Sequence, residues 1–290
     1  MRPLVLYHAN CNDGFCAAWV AHRKFGDDAD YIPVQYGQEP PPEAFDKDRP
    51  LYILDFSYSG DVTFKLAALR HQEMVVLDHH KTAQAALEGL ELQLASNNCG
   101  DALTVRFDMG KSGGRLTWDY FFGDDYAKKY QNADSLRPWL VDYTEDRDLW
   151  RKKLPKSEEI SAFIRSWPFD FDRWTEWDGL PVGMEPGWTD FAEQGSTILR
   201  YQKQVIDSAV SHAVETEIAG HRVLAVNTTV CFSEVAGELA KGKPFGAAFF
   251  IRGDGKKQWS LRSAEDGLDV SEIAKQFGGG GHKHAAGFEE

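Results

Sequence analysis

The chain has 290 residues, 42% of them apolar, which is comfortable for two domains and too long for one small one. Lysine and arginine total 32 against 45 aspartates and glutamates, a net charge of −13. Such an acidic surface disfavours general duplex binding, but it leaves room for a short anionic substrate held by a local cationic pocket or by metal ions.

In chain order, residues 4–7 form an apolar run that reads as a buried strand and is too short for the hydrophobic region of a signal peptide. Residues 15–25 read as a helix, with Ala17, Ala18, Val20 and Ala21 available for its packed face. A second strand over 51–54 precedes a helix over 62–69, and a third strand over 74–77 precedes a helix over 82–90. This alternation predicts a parallel sheet flanked by helices, whose ligands bind at the carboxyl ends of the strands. Helical patterns follow over 114–122, after the turn Ser112-Gly113-Gly114, and over 136–150 and 158–166. Periodicity is lost over 167–187, which is rich in Trp, Pro and Gly, and a long helical pattern over 190–214 then bridges two domains. The last part has a strand over 222–226, a helix over 233–241, and strands over 245–252 and 257–263 around the hairpin signal Gly253-Asp254-Gly255-Lys256. A helix over 270–277 and a glycine run close the chain. The fold class is α/β: an N-terminal parallel-sheet domain with flanking helices over 1–189, a connecting helix over 190–215, and a smaller C-terminal α/β domain over 216–290.

Each of the three strands ends in a polar cluster. These are His8-Ala9-Asn10-Cys11-Asn12-Asp13-Gly14, Asp55-Phe56-Ser57-Tyr58-Ser59 and Asp78-His79-His80-Lys81-Thr82; a fourth, Glu145-Asp146-Arg147-Asp148, lies near the end of a helical segment. Taken singly, each has a plainer reading: Asp55 as a helix cap, Asp13-Gly14 as a turn, Asp146 and Asp148 as a solvated face. Three successive strand ends carrying ligand sets are the signal. Two divalent ions need a bridging carboxylate flanked by histidines and aspartates, which these clusters supply. The cysteines Cys11, Cys16, Cys99 and Cys231 form no CxxC pair and fit a reducing cytoplasm. No segment approaches the roughly 20 apolar residues of a membrane span, so the expected location is the cytosol.

Leu77-Asp78-His79-His80-Lys81 and the run Gly278-Gly279-Gly280-Gly281-His282-Lys283-His284-Ala285-Ala286-Gly287-Phe288 resemble the signatures of the DHH phosphoesterase superfamily, in its branch with a C-terminal DHHA1 domain. The resemblance covers nearly the whole chain. It implies two lobes with the substrate between them, and a hydrolase with two Mn²⁺ or Mg²⁺ ions that acts on phosphodiester or phosphoanhydride bonds. Known members cut short oligoribonucleotides, linear or cyclic dinucleotides, single-stranded DNA, pyrophosphate or polyphosphate. By position, His8 and Asp13 match the first metal motif, Asp55 the bridging aspartate of the second, and His79 the metal-binding histidine. His80 would lie near the scissile phosphate, with Asp78 as a further ligand or as its support. Asp146 stands for the fourth motif's ligand, with Asp148 as the alternative. The first motif departs from the family pattern, which usually carries two aspartates: Asn10 and Asn12 stand in that stretch and only Asp13 is acidic.

The glycine run has its own physical logic. Consecutive glycines let backbone N–H groups approach an anion, so Gly280, Gly281 and His282 would bind phosphate, and Arg262 would clamp a second one; the plainer reading is a flexible loop. Ser112 is grouped with these substrate contacts, and its plainer reading is a helix-leading turn. The expected activity is cleavage of short oligonucleotides or dinucleotides. Polyphosphate, pyrophosphate or a small phosphate ester is the alternative substrate, and a non-catalytic nucleotide-binding protein the alternative class. The oligomeric state, including a homodimer, is left open by the sequence.

Overall fold

The computed structural model describes residues 2–96, 103–123, 137–180 and 187–290. Cys99 and the expected start of a helix at residue 136 lie outside these. The chain divides into two compact units, Met1–Ser196 and Thr197–Glu290, and the division falls inside the helix Gly187–Val210.

The first unit is built on a five-stranded, wholly parallel sheet: β1 (Leu4–His8), β2 (Asp30–Val34), β3 (Leu51–Leu54), β4 (Met74–Asp78) and β5 (Leu103–Phe107), in the order β2-β1-β3-β4-β5. The three strands expected from their apolar runs are the central ones. Their side chains divide by the two-residue period of a strand: Leu4, Leu6, Leu51, Ile53, Met74 and Val76 face one core, and Val5, Tyr52, Leu54, Val75 and Leu77 the other. Burial on both faces is why these strands read as unbroken apolar runs. The unpredicted strands β2 and β5 are the sheet edges, with partly exposed side chains. β2 carries Pro33, tolerable on an edge because it need donate no ladder bond.

Helix α1 (Asn12–Phe25) follows β1, and α2 (Gly60–Ala68) follows β3. The helix expected over 82–90 is instead two short ones, α3 (Lys81–Leu87) and α4 (Leu90–Ser96), because the chain turns at Gly89 with a φ of 75°. Helix α5 (Gly113–Trp118) runs into a single π-helical turn (Asp119–Gly123). Helices α6 (Trp139–Asp148), α7 (Ser157–Arg165) and α8 (Phe171–Asp178) pack with α1 and α5 around an aromatic core that includes Phe15, Trp19, Trp118, Trp139, Phe163, Trp174 and Trp177. The stretch expected to lack periodicity thus contains α8. Asp170 caps it by accepting the Arg173 N–H at 2.7 Å, and Trp174 and Trp177, three positions apart, share its buried face.

The second unit has a six-stranded mixed sheet. Its strands are β6 (Val214–Ile218), β7 (His221–Asn227), β8 (Gly246–Ile251), β9 (Lys257–Arg262), β10 (Gly280–His282) and β11 (Ala285–Glu289), in the order β10-β11-β9-β8-β7-β6. Only β7 and β8 pair in parallel, joined by the helix Phe232–Leu239; the helix Val270–Lys275 covers the other face with Val270, Ile273 and Ala274. The hairpin between β8 and β9 forms at Gly253-Asp254-Gly255-Lys256, as its residues predict, with Gly255 at a φ of 86°. The glycine run is partly strand: β10 pairs antiparallel with β11. No helix among the described residues is long and apolar enough to cross a membrane.

Candidate metal centre

The sheet register lines up Tyr7 with Leu54 and Leu54 with Leu77. The residues one step further on, His8, Asp55 and Asp78, therefore emerge at one carboxyl edge. The chain also leaves β1 for β2 on one side and returns to β3 on the other, so the gap between β1 and β3 is the topological switch point where such sheets bind ligands. Two residues at these exits hold left-handed backbone, Asn10 with a φ of 55° and Asp55 with a φ of 62°. Asn and Asp tolerate this conformation better than other non-glycine residues. Gly14, next to Asp13 on α1, has no alternative: an added Cβ would lie 2.2 Å from the His8 carbonyl oxygen.

Three carboxylates converge on one imidazole nitrogen. His79 Nε2 lies 3.1 Å from Asp55 Oδ1, 3.5 Å from Asp13 Oδ2 and 3.6 Å from Asp148 Oδ2. His8 Nδ1 lies 3.3 Å from Asp55 Oδ2 on the other side of the same carboxylate. Asp13, Asp55 and His79 are buried. One ring N–H can serve one acceptor well, so His79 cannot satisfy all three. Asp55 Oδ2 is itself buried with no hydrogen-bond partner. Burial pushes the Asp13 carboxyl well up, and the charges of Asp55 and Asp148 push it further. Burial likewise raises Asp148. It would raise Asp55 too, but the hydrogen bond of His79 and the neighbouring His8 outweigh it and hold Asp55 well below the usual range. Burial works against charge on His79, yet its bond to Asp55 and the surrounding carboxylates drive it up to about 10. The donor set is thus short of positive charge, and divalent cations fit it. Three groups in the first unit each place one ligand atom per residue within 4.8 Å of one another: Asp13, His79 and Asp148; His8, Cys11 and Asp55; and Asp55, Asp78 and His80.

The supports are local. Asp13 accepts the backbone N–H groups of Gly113 at 2.5 Å and Gly114 at 2.9 Å, at the start of α5. That approach requires glycine: a Cβ on Gly113 would lie 2.5 Å from the Asp55 Cβ, and one on Gly114 would lie 2.6 Å from Cys16 Sγ. Ser112, expected among the substrate contacts, is fully buried and caps α5 by accepting the Arg115 N–H at 3.2 Å. Asp78 is fully buried; its Oδ1 accepts the backbone N–H groups of His79 and His80 and lies 2.7 Å from His80 Nδ1, while its Oδ2 accepts the Ser57 hydroxyl at 2.6 Å. The His80 ring is thus oriented by Asp78 through Nδ1.

Of the two aspartates weighed for the fourth cluster, the structure brings Asp148 to His79 and not Asp146. Asp146 accepts the backbone N–H groups of Lys153 at 2.9 Å and Leu154 at 3.3 Å and the hydroxyl of Ser157, so it secures the loop after α6. Two residues along a helix turn the side chain about 200°, so only one of the pair can face the cluster. In the second unit, Arg262 pairs with Ala285 and Ala285 with His282, which sets Arg262 and His282 at one register level two strands apart. Arg262 Nη2 donates to Ser233 Oγ at 2.5 Å. Gly281 has a φ of 140°, and an added Cβ would lie 2.5 Å from the Ala285 carbonyl oxygen, so this glycine permits the close pairing of β10 and β11.

Two site residues have no clear signal in the sequence. Cys11 stands between two asparagines with no partner motif. Tyr36, a residue 48% exposed, follows the unpredicted strand β2; its ring lies 5.0 Å from the His8 ring and 5.5 Å from the His80 ring.

Residues 223–289 match the DHHA1 domain family. An uncharacterized protein, R106 of Acanthamoeba polyphaga mimivirus, is 31% identical over 98% of this chain and 66% of its own length. Oligoribonuclease NrnB of Bacillus subtilis (strain 168) is 27% identical over 97% of this chain and 71% of its own. The chain thus spans about two thirds of the length of these curated relatives. Among solved structures, RecJ in complex with Mn²⁺ from Thermus thermophilus superimposes with a TM-score of 0.52 at 14% identity, over 99% of this chain and 49% of that one.

Proposed function

This chain belongs to the DHH phosphoesterase superfamily, in the branch that carries a DHHA1 domain, and from that premise we propose that it is a two-metal phosphodiesterase of short oligonucleotides or dinucleotides. The observation that carries the reading is the convergence of Asp13, Asp55 and Asp148 on His79, with His8 on the far side of Asp55. Asp55 presents one oxygen to each side and would be the ligand shared by both ions. Asp13, His79 and Asp148 would hold one ion, with Asp148 in the position for which Asp146 was the expected residue, and His8 would lie beside the other. Mn²⁺ or Mg²⁺ is the expected pair, and when bound it neutralises the phosphoryl group and activates a water for in-line attack.

The chain's own groups do the rest. Asp78 fixes His80 through Nδ1 and is fixed in turn by Ser57, so Nε2 of His80 serves the phosphate side. Tyr36, beside both His8 and His80, is a partly exposed aromatic residue of the kind on which a nucleobase stacks, which favours a nucleotide over polyphosphate. Arg262, Gly280, Gly281 and His282 in the second unit supply further phosphate contacts. The test is a panel of dinucleotides, short RNA, single-stranded DNA and polyphosphate incubated with the Mn²⁺-loaded protein. Mononucleotide release from dinucleotides or short RNA is expected. Turnover of polyphosphate alone, or none with metal bound, overturns the reading.

A further inference from the structure

We propose that Cys11 is a metal ligand, and that it makes the ion position beside His8 a mixed sulfur, nitrogen and oxygen site that prefers Zn²⁺, Fe²⁺ or Co²⁺ to Mg²⁺. The proposal rests on the two-metal reading above and goes beyond it by making the two positions chemically unequal.

Three observations carry it. First, the Cys11 sulfur, an imidazole nitrogen of His8 and a carboxylate oxygen of Asp55 all lie within 4.8 Å of one another, the spacing of atoms around one cation. Second, Asp55 Oδ2, on a residue only 1% exposed, and His8 Nδ1 are buried and face each other at 3.3 Å without forming a well-aligned hydrogen bond. A buried carboxylate oxygen left in that state is costly unless something positive stands beside it. Third, Cys11 is the residue immediately before α1, so the turn that delivers Asp13 to one ion position delivers the thiol to the other. The first cluster is poor in carboxylates because Asn10 and Asn12 flank Cys11 and bring no charge. A metal-bound thiolate would supply the anionic donor that neither asparagine offers, and metal binding releases the thiol proton to solvent.

The chemistry of the two positions then differs. Asp13, His79 and Asp148 offer two carboxylates and one imidazole, a harder set that suits Mn²⁺. His8, Cys11 and Asp55 offer one imidazole, one thiolate and one shared carboxylate, and soft sulfur turns selection toward Zn²⁺ and its neighbours and away from Mg²⁺, which demands oxygen. One ion of the pair is therefore exchangeable among hard cations, and the other is held by a softer cage.

The test uses the full chain stripped of metal and titrated with Co²⁺, whose visible bands report binding and whose near-ultraviolet sulfur-to-cobalt band reports a thiolate ligand. Both are expected in the unaltered chain. Cys11→Ser should keep the visible bands and lose the sulfur band, while Cys231→Ser should keep both. Cys11→Asp retains a donor but makes it oxygen; its preference for Mn²⁺ over Zn²⁺ should rise by on the order of tenfold, the size of effect that even outer partners have on metal affinity. Visible bands without a sulfur band in the unaltered chain overturn the proposal and leave the two-metal reading standing. A sulfur band that survives Cys11→Ser, or a Cys11→Asp chain with unchanged selectivity, also overturns it. No Co²⁺ uptake at all overturns the two-metal reading, and this proposal with it.

Discussion

The carboxyl edge of the parallel sheet and the glycine-rich edge of the mixed sheet solve opposite problems. At the first, charged side chains are drawn together until they lack counter-charge: Asp13, Asp55 and Asp148 face one nitrogen of His79. At the second, side chains are removed so that backbone can come close: Gly281 lies where a Cβ would collide with Ala285. The first arrangement suits cations that complete it. The second lets two strands pair closely, and in the proposed reading Arg262 and His282 beside them would contact the substrate. Side-chain changes in the first region should therefore fall on turnover, and those in the second on substrate affinity.

The largest effect is expected from Asp55→Ala. It removes the carboxylate that faces both His8 and His79. Turnover should fall by at least about 100-fold, since even outer partners of metal ligands are worth 10–100-fold. The fold should survive, and the rise in melting temperature that Mn²⁺ gives the unaltered protein should disappear, because ligands stabilise only the state that binds them. Near-normal turnover would break the two-metal reading. Next comes Gly113→Ala, whose Cβ would meet that of Asp55 at 2.5 Å. Overpacking of this kind costs about 1–3 kcal/mol, measurable by denaturant unfolding, and it should weaken metal binding as well by pushing α5 away from Asp13. His282→Ala should raise KM by about tenfold, the worth of one lost hydrogen bond to a charged group, with a smaller change in kcat. A fall in kcat alone would erase the contrast between the two edges. Smallest is Ser57→Ala, which leaves Asp78 in place but removes the 2.6 Å bond that steadies it. It should cost about tenfold in kcat at most, with Ser57→Thr recovering part of the loss.

The central strands were legible because they are buried on both faces and so are written in unbroken apolar residues, 51–54 and 74–77 most plainly. The edge strands β2 and β5 were not, since most of their side chains are only partly buried and a parallel neighbour, not an apolar run, holds them in place. Tyr36 was lost with β2. Helix α8 was hidden by its tryptophans, which look like a loop composition until Trp174 and Trp177 are seen on one buried face. The glycine run reads as a flexible or anion-binding loop because local rules see only missing side chains. Its partner strand β11 lies next in sequence, but only the sheet shows that the missing Cβ atoms are what lets the two pair.

By itself the sequence pointed to the phosphoesterase class and to most of the aspartates and histidines that meet at the sheet edge. Aspartates and histidines placed one residue beyond buried strands must emerge together at one edge, because parallel strands share a direction. It also determined that two structural units follow one another, from the change in strand and helix rhythm. The choice between Asp146 and Asp148 was decided only by tertiary structure. Both sit on one helical turn with the same chemistry, and the direction in which α6 presents its face separates a loop anchor from a candidate ligand. The role of Ser112 and the company of Cys11 were decided in the same way. A hydroxyl or a thiol has no function in the sequence until the fold brings it a partner, here the Arg115 N–H for one, and His8 with Asp55 for the other.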